Sequence, residues 1–172
     1  GLPTFVCDVR HPRDVPLMLR ELGQAVNRSE AAEVHARAIE AMLRRAPDTN
    51  GRTALPLIWH RPLMAANGTT YAGNMLACLG FNVPNIEPDG TGYPEVSPEI
   101  ILQHGVTDVF LSSEPHEFTD EESRSLSEAF GNLTATPPRI HFIDGEDLTW
   151  MGSRTAEALQ RLGERLNRVH LE

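Results

Sequence analysis

Residues 54–59 read Ala-Leu-Pro-Leu-Ile-Trp, an almost unbroken apolar run. A strand of a parallel sheet needs such a run, because helices cover the sheet on both faces. Further strand-like runs occur at residues 107–111 and 139–143, and segments with helical spacing lie between and after them. Strands that alternate with helices predict an α/β fold, a three-layer αβα lobe with a mainly parallel sheet.

The helix starts in this region carry their own signals. Ser97-Pro98-Glu99 combines a cap, a proline in the first helical position and a carboxylate facing the positive end of the helix dipole. Residues 119–122, Thr-Asp-Glu-Glu, form a capping box for a helix that we expect to reach about Phe130. Two more helices are predicted over residues 71–79 and 153–169.

The chain before residue 51 has a different pattern. Residues 4–9 form an apolar, strand-like run that stands apart from the other strands. Two helices are predicted after it, over residues 14–26 and from Asn27 or Ser29 to Arg45, with Asn27 as a cap and Glu30 reaching back to it. A turn-rich break follows at residues 47–52. The chain therefore divides into residues 1–12, the helical segment 13–50 and the α/β lobe 51–172.

Composition excludes several classes of function. The 172 residues include 15 Lys+Arg and 24 Asp+Glu, a formal net charge of −9, which repels phosphate backbones and argues against nucleic-acid partners. No apolar run approaches the roughly 20 residues that a membrane-spanning helix needs, so we expect a chain that does not span a membrane. Cys7 and Cys78 belong to no CxxC motif, and we expect two buried, free thiols.

Ligands of open parallel sheets gather beyond the carboxyl ends of the strands, so the segments that follow the three strands are the candidate site. Trp59 ends the first strand and Trp150 follows the third. Aromatic rings beside a few polar groups are typical of a site for a large, flat, partly apolar ligand. The alternative, that both tryptophans only cap the core, stays open at this stage.

The same segments allow two other functions. His60, Glu114 and His116 could approach one another and bind a metal ion directly, as a metal-ion receptor. Glu114 and His116 could instead act as acid and base in a hydrolase-like enzyme, with Ser112 or Ser113 beside them. The sequence contains no GxSxG elbow, no P-loop and no GxGxxG motif, which weakens the enzymatic alternative.

Three segments, taken in order, carry a family resemblance. They read GTTYAGNML at residues 68–76, YPEVSPEIIL at 93–102 with DVFLSSEP at 108–115, and DGE at 144–146 with WMGSRT at 150–155. Together they resemble the substrate-binding proteins of ABC importers for cobalamin, haem and ferric siderophores. In that family one long helix joins two α/β lobes, and the ligand lies between the lobes.

The resemblance implies an architecture and a function. Residues 4–9 would be the last strand of an N-terminal lobe that is otherwise missing, residues 27–45 the connecting helix and residues 51–172 the C-terminal lobe. The protein would be no enzyme and would hold no cofactor of its own. It would capture a corrinoid, haem or ferric siderophore and deliver it to the membrane permease. It would be periplasmic, or extracellular as a membrane-anchored lipoprotein, and its open edge would favour self-association.

The resemblance also assigns roles to residues. Glu99 matches a glutamate that docks to arginines of the permease. The ligand-binding residues would be Trp59, Tyr93, Thr149, Trp150, Met151, Gly152, Ser153 and Arg154. No residue is assigned as a catalytic group or as a metal ligand.

Overall fold

The computed structural model describes residue 2 and residues 4–45, 51–87 and 90–169. A 3₁₀ turn, Pro12–Asp14, leads into the first helix. The elements are, in chain order, α1 Val15–Ala25, α2 Ser29–Leu43, β1 Ala54–Trp59, β2 Met64–Ala65, α3 Tyr71–Cys78, α4 Pro98–Gln103, β3 Asp108–Ser112, α5 Asp120–Leu133, β4 Arg139–Ile143, α6 Gly145–Thr149 and α7 Thr155–Val169.

Within the described residues, four strands form one sheet in the order β2-β1-β3-β4. β1 pairs in parallel with β3, β3 pairs in parallel with β4, and β2 pairs antiparallel with β1. The register places Ala54 opposite Asp108, and Asp108 opposite Arg139. The predicted αβα lobe with a mainly parallel sheet is confirmed. The sequence did not indicate β2, because two residues are too few to show a period.

The buried apolar residues lie on both faces of the sheet, as the runs in β1 and β3 predict. On one face the helices α1, α2, α3 and α7 cover a core that includes Val15, Ile39, Met75, Leu76, Phe110, Leu159 and Leu162. On the other face α4 and α5 cover a core that includes Leu55, Leu57, Ile101, Val109, Leu111 and Phe130. The helices before residue 51 therefore share a core with the lobe.

Two predicted helix caps are confirmed and one is wrong. Ser97 accepts a hydrogen bond from the Ile100 amide, and the capping box that begins at Thr119 is complete. Asn27, in contrast, has a positive φ of 56° and lies in the turn between α1 and α2, while Arg28 occupies the cap position without a side-chain hydrogen bond. Asparagine tolerates this left-handed conformation better than most residues, so Asn27 serves the turn instead of the cap.

Residues 4–10 form no strand in this structure, although the pattern at residues 4–9 predicts one. They make no sheet pairing among the described residues, and a strand needs a neighbour that receives its backbone hydrogen bonds. Val9 alone of residues 4–9 is buried, and Cys7, expected to be buried, is exposed. The predicted break at residues 47–52 lies mostly outside the described residues, which omit 46–50.

A buried carboxylate joins the N-terminal ends of the three parallel strands. Asp108, at the start of β3, has no exposed surface. Its oxygens lie 2.7 Å from Nε of Arg52, 3.3 Å from Nε of Arg139 and 2.9 Å from Nε2 of His141, and the Thr107 hydroxyl donates to it at 2.8 Å. Burial opposes ionisation, but the hydrogen bonds from His141, Arg52 and Thr107 outweigh it and hold the pKa of Asp108 well below its ordinary value.

Replacing Asp108 by Asn removes the charge that Arg52 and Arg139 share. We expect Asp108→Asn to lower the free energy of unfolding at neutral pH by about 3 kcal/mol, as for a broken buried ion pair. Because the folded-state pKa is depressed, this stabilisation is complete above the ordinary carboxyl pKa of about 3.9 and is lost as the pH falls from there toward the folded-state value.

Urea unfolding of both proteins at neutral and acidic pH measures the effect. The exposed Glu128→Gln on α5 is the control, and its stability should stay within about 0.5 kcal/mol of the wild type. If Asp108→Asn and the wild type had the same free energy of unfolding at neutral pH, the structural role of this carboxylate would be contradicted.

Candidate functional site

A cleft of about 790 Å³ opens at the carboxyl ends of β1 and β3. This is where a parallel sheet is expected to bind a ligand, and the volume is in the usual range of small-molecule sites, about 300–1,000 Å³. Apolar and aromatic side chains dominate its wall. The lining residues are Ile58, Trp59, Met64, Ala66, Tyr71, Ala72, Tyr93, Glu114, Pro115 and Thr149.

Two of the lining aromatic side chains keep a large exposed surface. Trp59 is 41% exposed and Tyr93 is 45% exposed. The Trp59 indole is held from one side, because its Nε1 donates to the Arg61 carbonyl at 3.1 Å and its ring meets the edge of His116 with 5.8 Å between centroids. Trp59 is thus a fixed aromatic surface that remains available to a ligand.

Tyr71 lines the same cleft from a buried position at the start of α3. Its hydroxyl is hydrogen bonded to the Thr155 hydroxyl at 2.9 Å, which ties α3 to α7. Burial is the main reason that the pKa of Tyr71 rises to about 12. The phenol is therefore neutral, and its oxygen already has a partner within the fold.

Glu114 is the charged member of the lining residues that the structure describes. The Trp150 Nε1 donates to its Oε2 at 2.9 Å. The backbone of Glu114 is fixed as well, since the Ser112 hydroxyl donates to its carbonyl at 2.6 Å and its amide lies 3.2 Å from the same hydroxyl. Ser112 is fully buried and committed to this loop, so it is not arranged as a nucleophile.

Gly145 allows the segment after β4 to approach the segment after β3. A Cβ on Gly145 would lie 2.5 Å from the amide nitrogen of Glu114 and 2.7 Å from the Ser112 hydroxyl oxygen, closer than real contacts allow. The Gly145 amide donates to the Ser113 hydroxyl at 2.9 Å, and Asp144 caps α6 through the Asp147 amide. This contact positions Glu114 and Thr149 on adjoining parts of the cleft.

Three of the eight predicted ligand-binding residues, Trp59, Tyr93 and Thr149, line the cleft. Trp150 is 51% exposed and lies beside the cleft, joined to Glu114. Arg154 lies over the Trp150 ring, 5.2 Å from its centroid, and pairs with Glu146 at 2.8 Å and with Asp147 at 3.1 Å. The remaining three predicted residues continue the turn before α7, outside the cleft wall: Met151, Gly152 and Ser153.

The sequence assigns no ligand-binding role to most of the apolar wall. Met64 lies in the antiparallel β2, and Ala66 directly follows β2. Ala72 lies in the first turn of α3. Residues 68–76 carry part of the family resemblance, yet nothing in their pattern indicates which side chains face a ligand. The position directly after a strand was a usable signal for Glu114 and Pro115.

Two histidines near the cleft, His60 and His116, share Glu122 and not Glu114. Nε2 of His116 lies 3.1 Å and Nε2 of His60 lies 3.7 Å from Oε1 of Glu122, and the two imidazole rings are stacked with 5.8 Å between centroids. The predicted set of His60, Glu114 and His116 is therefore not assembled. The part of the chain that the structure describes contains no group of three or more His, Cys, Asp or Glu side chains that could bind a metal ion.

No family model and no curated protein matches the chain, but solved structures match its fold. One is a possible iron-binding, periplasmic solute-binding protein from Staphylococcus epidermidis (TM-score 0.72, 17% identity, 95% of this chain). A second is the periplasmic vitamin B12 binding protein BtuF of Vibrio cholerae (0.68, 13%, 96%). A third is S. aureus IsdE complexed with heme (0.68, 14%, 95%). The chain spans 65%, 65% and 67% of these proteins, respectively.

These similarities define the class of fold. The chain shares its αβα-lobe architecture with proteins named as a possible iron-binding periplasmic protein and a periplasmic vitamin B12 binding protein, and with a protein solved in complex with heme. The resemblance inferred from the three sequence segments is thus confirmed at the level of the fold. No helix in the described ranges has both the length and the apolar character needed to cross a membrane.

The close approach at Gly145 has a measurable consequence. We expect Gly145→Ala to lower the free energy of unfolding by about 1–3 kcal/mol, because the new methyl group must displace the Glu114 backbone. Gly131→Ala in α5 is the matched control. It meets open space, and we expect it to raise stability by up to about 1 kcal/mol, since alanine is the better helix former.

Urea unfolding of the two variants distinguishes these effects. If Gly145→Ala were as stable as Gly131→Ala, the contact between the segments after β3 and β4 would not hold the cleft together.

Proposed function

We propose that this chain belongs to the substrate-binding component of an ABC importer. The observation that carries the proposal is the aromatic-walled cleft of about 790 Å³ at the carboxyl ends of the parallel strands. The cleft would bind a corrinoid, haem or ferric siderophore between this lobe and a second one, and the protein would deliver the chelate to the membrane permease. The protein would act outside the cytoplasm, in the periplasm or as an anchored extracellular lipoprotein.

The chemistry of the wall supports a metal chelate as the ligand. Trp59 and Tyr93 present exposed rings, and most of the other lining residues are apolar. Covering such a surface with a flat ligand gains about 25 cal/mol per Å² of apolar area, with an additional preference for stacked rings. The lining offers few hydrogen-bonding groups, which suits recognition of a large, mostly apolar face.

The polar groups around the cleft support binding without catalysis. Ser112 is buried in its loop, His116 is joined to Glu122, and Glu114 is joined to Trp150. A nucleophile would need a base within hydrogen-bonding distance, and these side chains have other partners. We therefore propose that the protein captures and releases its ligand unchanged.

Coloured chelates provide a direct test of the proposed ligand class. We expect cyanocobalamin, haemin or ferrichrome to quench the tryptophan fluorescence of this chain in a saturable titration. Trp59→Leu should weaken the binding of the active chelate about tenfold, which corresponds to 1.4 kcal/mol, because it removes an aromatic face from the wall.

Phe142→Leu is the control for the Trp59 substitution, since Phe142 is also an exposed aromatic residue but lies outside the cleft. Its affinity should equal that of the wild type. Absence of binding by all three chelates would contradict the proposed function, and equal affinities of Trp59→Leu and the wild type would remove Trp59 from the site.

We propose Glu99 as the permease-docking residue. It is exposed in the first turn of α4, where the Ser97 hydroxyl and its own backbone amide lower the pKa of its carboxyl group. The helix N-terminus also favours a negative charge at this position. Glu99 is thus an ionised, solvent-facing carboxylate that suits a salt bridge to permease arginines.

Reversing this charge tests the docking role. We expect Glu99→Arg to weaken binding of the chain to its importer permease about tenfold or more, because like charges then face each other. Glu121→Arg is a matched control, since Glu121 is also exposed at the second position of a helix, α5.

Surface plasmon resonance against the detergent-solubilised permease provides the measurement. Both variants should bind the chelate as the wild type does, because neither residue lines the cleft. If Glu99→Arg and Glu121→Arg lost the same affinity for the permease, only the net charge of the chain would matter for docking.

A further inference from the structure

The described side chains that line the cleft carry charge of one sign only. Among the lining residues that the structure describes, Glu114 is acidic and none is basic. Arg154, beside the wall, is paired with two carboxylates, those of Glu146 and Asp147. A ligand that enters the cleft therefore meets, among these lining side chains, the negative charge of Glu114 and no positive charge.

Glu114 also has an unused acceptor. Its Oε2 receives the Trp150 Nε1 at 2.9 Å, while its Oε1 has no hydrogen-bond donor among the described residues. Its backbone is held by Ser112 and enclosed by Gly145, and its side chain is held by Trp150. Among the described residues, this oxygen of the cleft wall is thus left to water or to a ligand.

A bound chelate would displace that water. The carboxylate would then need a donor from the ligand, because a charged group that loses water without a partner is costly. A carboxylate on the ligand at the same place would add repulsion between like charges in a partly desolvated site. Selectivity arises from both effects, one attractive and one repulsive.

We infer that Glu114 is a specificity-determining residue that selects chelates with an uncharged or cationic edge. That edge carries N–H donors, such as amide or ammonium groups, and no carboxylate. This inference rests on the proposed function, since it concerns the ligand of the same cleft. It narrows the ligand class to chelates whose side groups facing this lobe are amidated, esterified or aminated.

Matched pairs of chelates test the inference, each with the same metal and the same ligating core. The pairs are cobinamide and cobyrinic acid, haem dimethyl ester and haem, and ferrioxamine B and its N-succinyl derivative. The second member of each pair carries the carboxylates. Tryptophan quenching of this chain by each compound gives the affinity ratio within a pair.

The variant for this test is Glu114→Gln. The amide oxygen of Gln can still accept from Trp150, so the neighbourhood of the side chain is kept while the charge is removed. We expect the wild type to prefer the uncharged or cationic member about tenfold or more, and Glu114→Gln to reduce this ratio about tenfold. Glu117→Gln, an exposed carboxylate outside the cleft wall, is the control, and its ratio should stay within about twofold of the wild-type ratio.

The possible results separate the two claims. A wild-type preference that Glu114→Gln reduces and Glu117→Gln keeps supports the inference. Three results overturn the inference while the proposed function stands. They are a wild-type affinity ratio near one, a preference for the carboxylated member, and a ratio that Glu114→Gln leaves unchanged. If the wild type binds no member of any pair, the proposed function fails, and the inference fails with it.

Discussion

The buried carboxylate of Asp108 is the interaction on which the arrangement of the cleft depends. It joins Arg52, next to the start of β1, to Arg139 and His141 on β4, so the three parallel strands begin at the same end of the sheet. Parallel strands that begin together also end together. The segments that follow them meet at the opposite end, and there they form the cleft wall around Trp59.

Most of the fold could be predicted because burial on both faces leaves a clear pattern. The runs of β1 and β3 are mostly apolar for that reason. The caps at Ser97 and Thr119 are local interactions that a few residues determine. The wrong predictions of secondary structure and capping depend on how a segment lies relative to the rest of the chain. Residues 4–9 have a strand pattern but no neighbour in the described chain, and Asn27 has the chemistry of a cap but lies in a turn.

The end of the sheet at which the cleft lies could be predicted from the sequence, but the contacts among its side chains could not. Parallel topology indicates the segments after the strands, and Trp59 and Thr149 lie in the cleft wall as expected. The contacts among side chains depend on how closely the segments after the strands approach one another, and the sequence pattern does not indicate this distance. The close contact at Gly145 brings Trp150 to Glu114, while His60 and His116 lie beside Glu122. The result is a mostly apolar cleft whose described lining includes one carboxylate, that of Glu114.

Mapping the bound ligand onto the chain tests whether this cleft binds a metal chelate. The measurement is a set of amide chemical shifts of the isotope-labelled chain, titrated with the chelate that quenches fluorescence most strongly, in a diamagnetic form. We expect large shifts at Trp59, Tyr93 and Glu114 and at the Trp59 indole N–H, with none at Gly131 on α5. Saturable shifts confined to residues outside the cleft wall would contradict it.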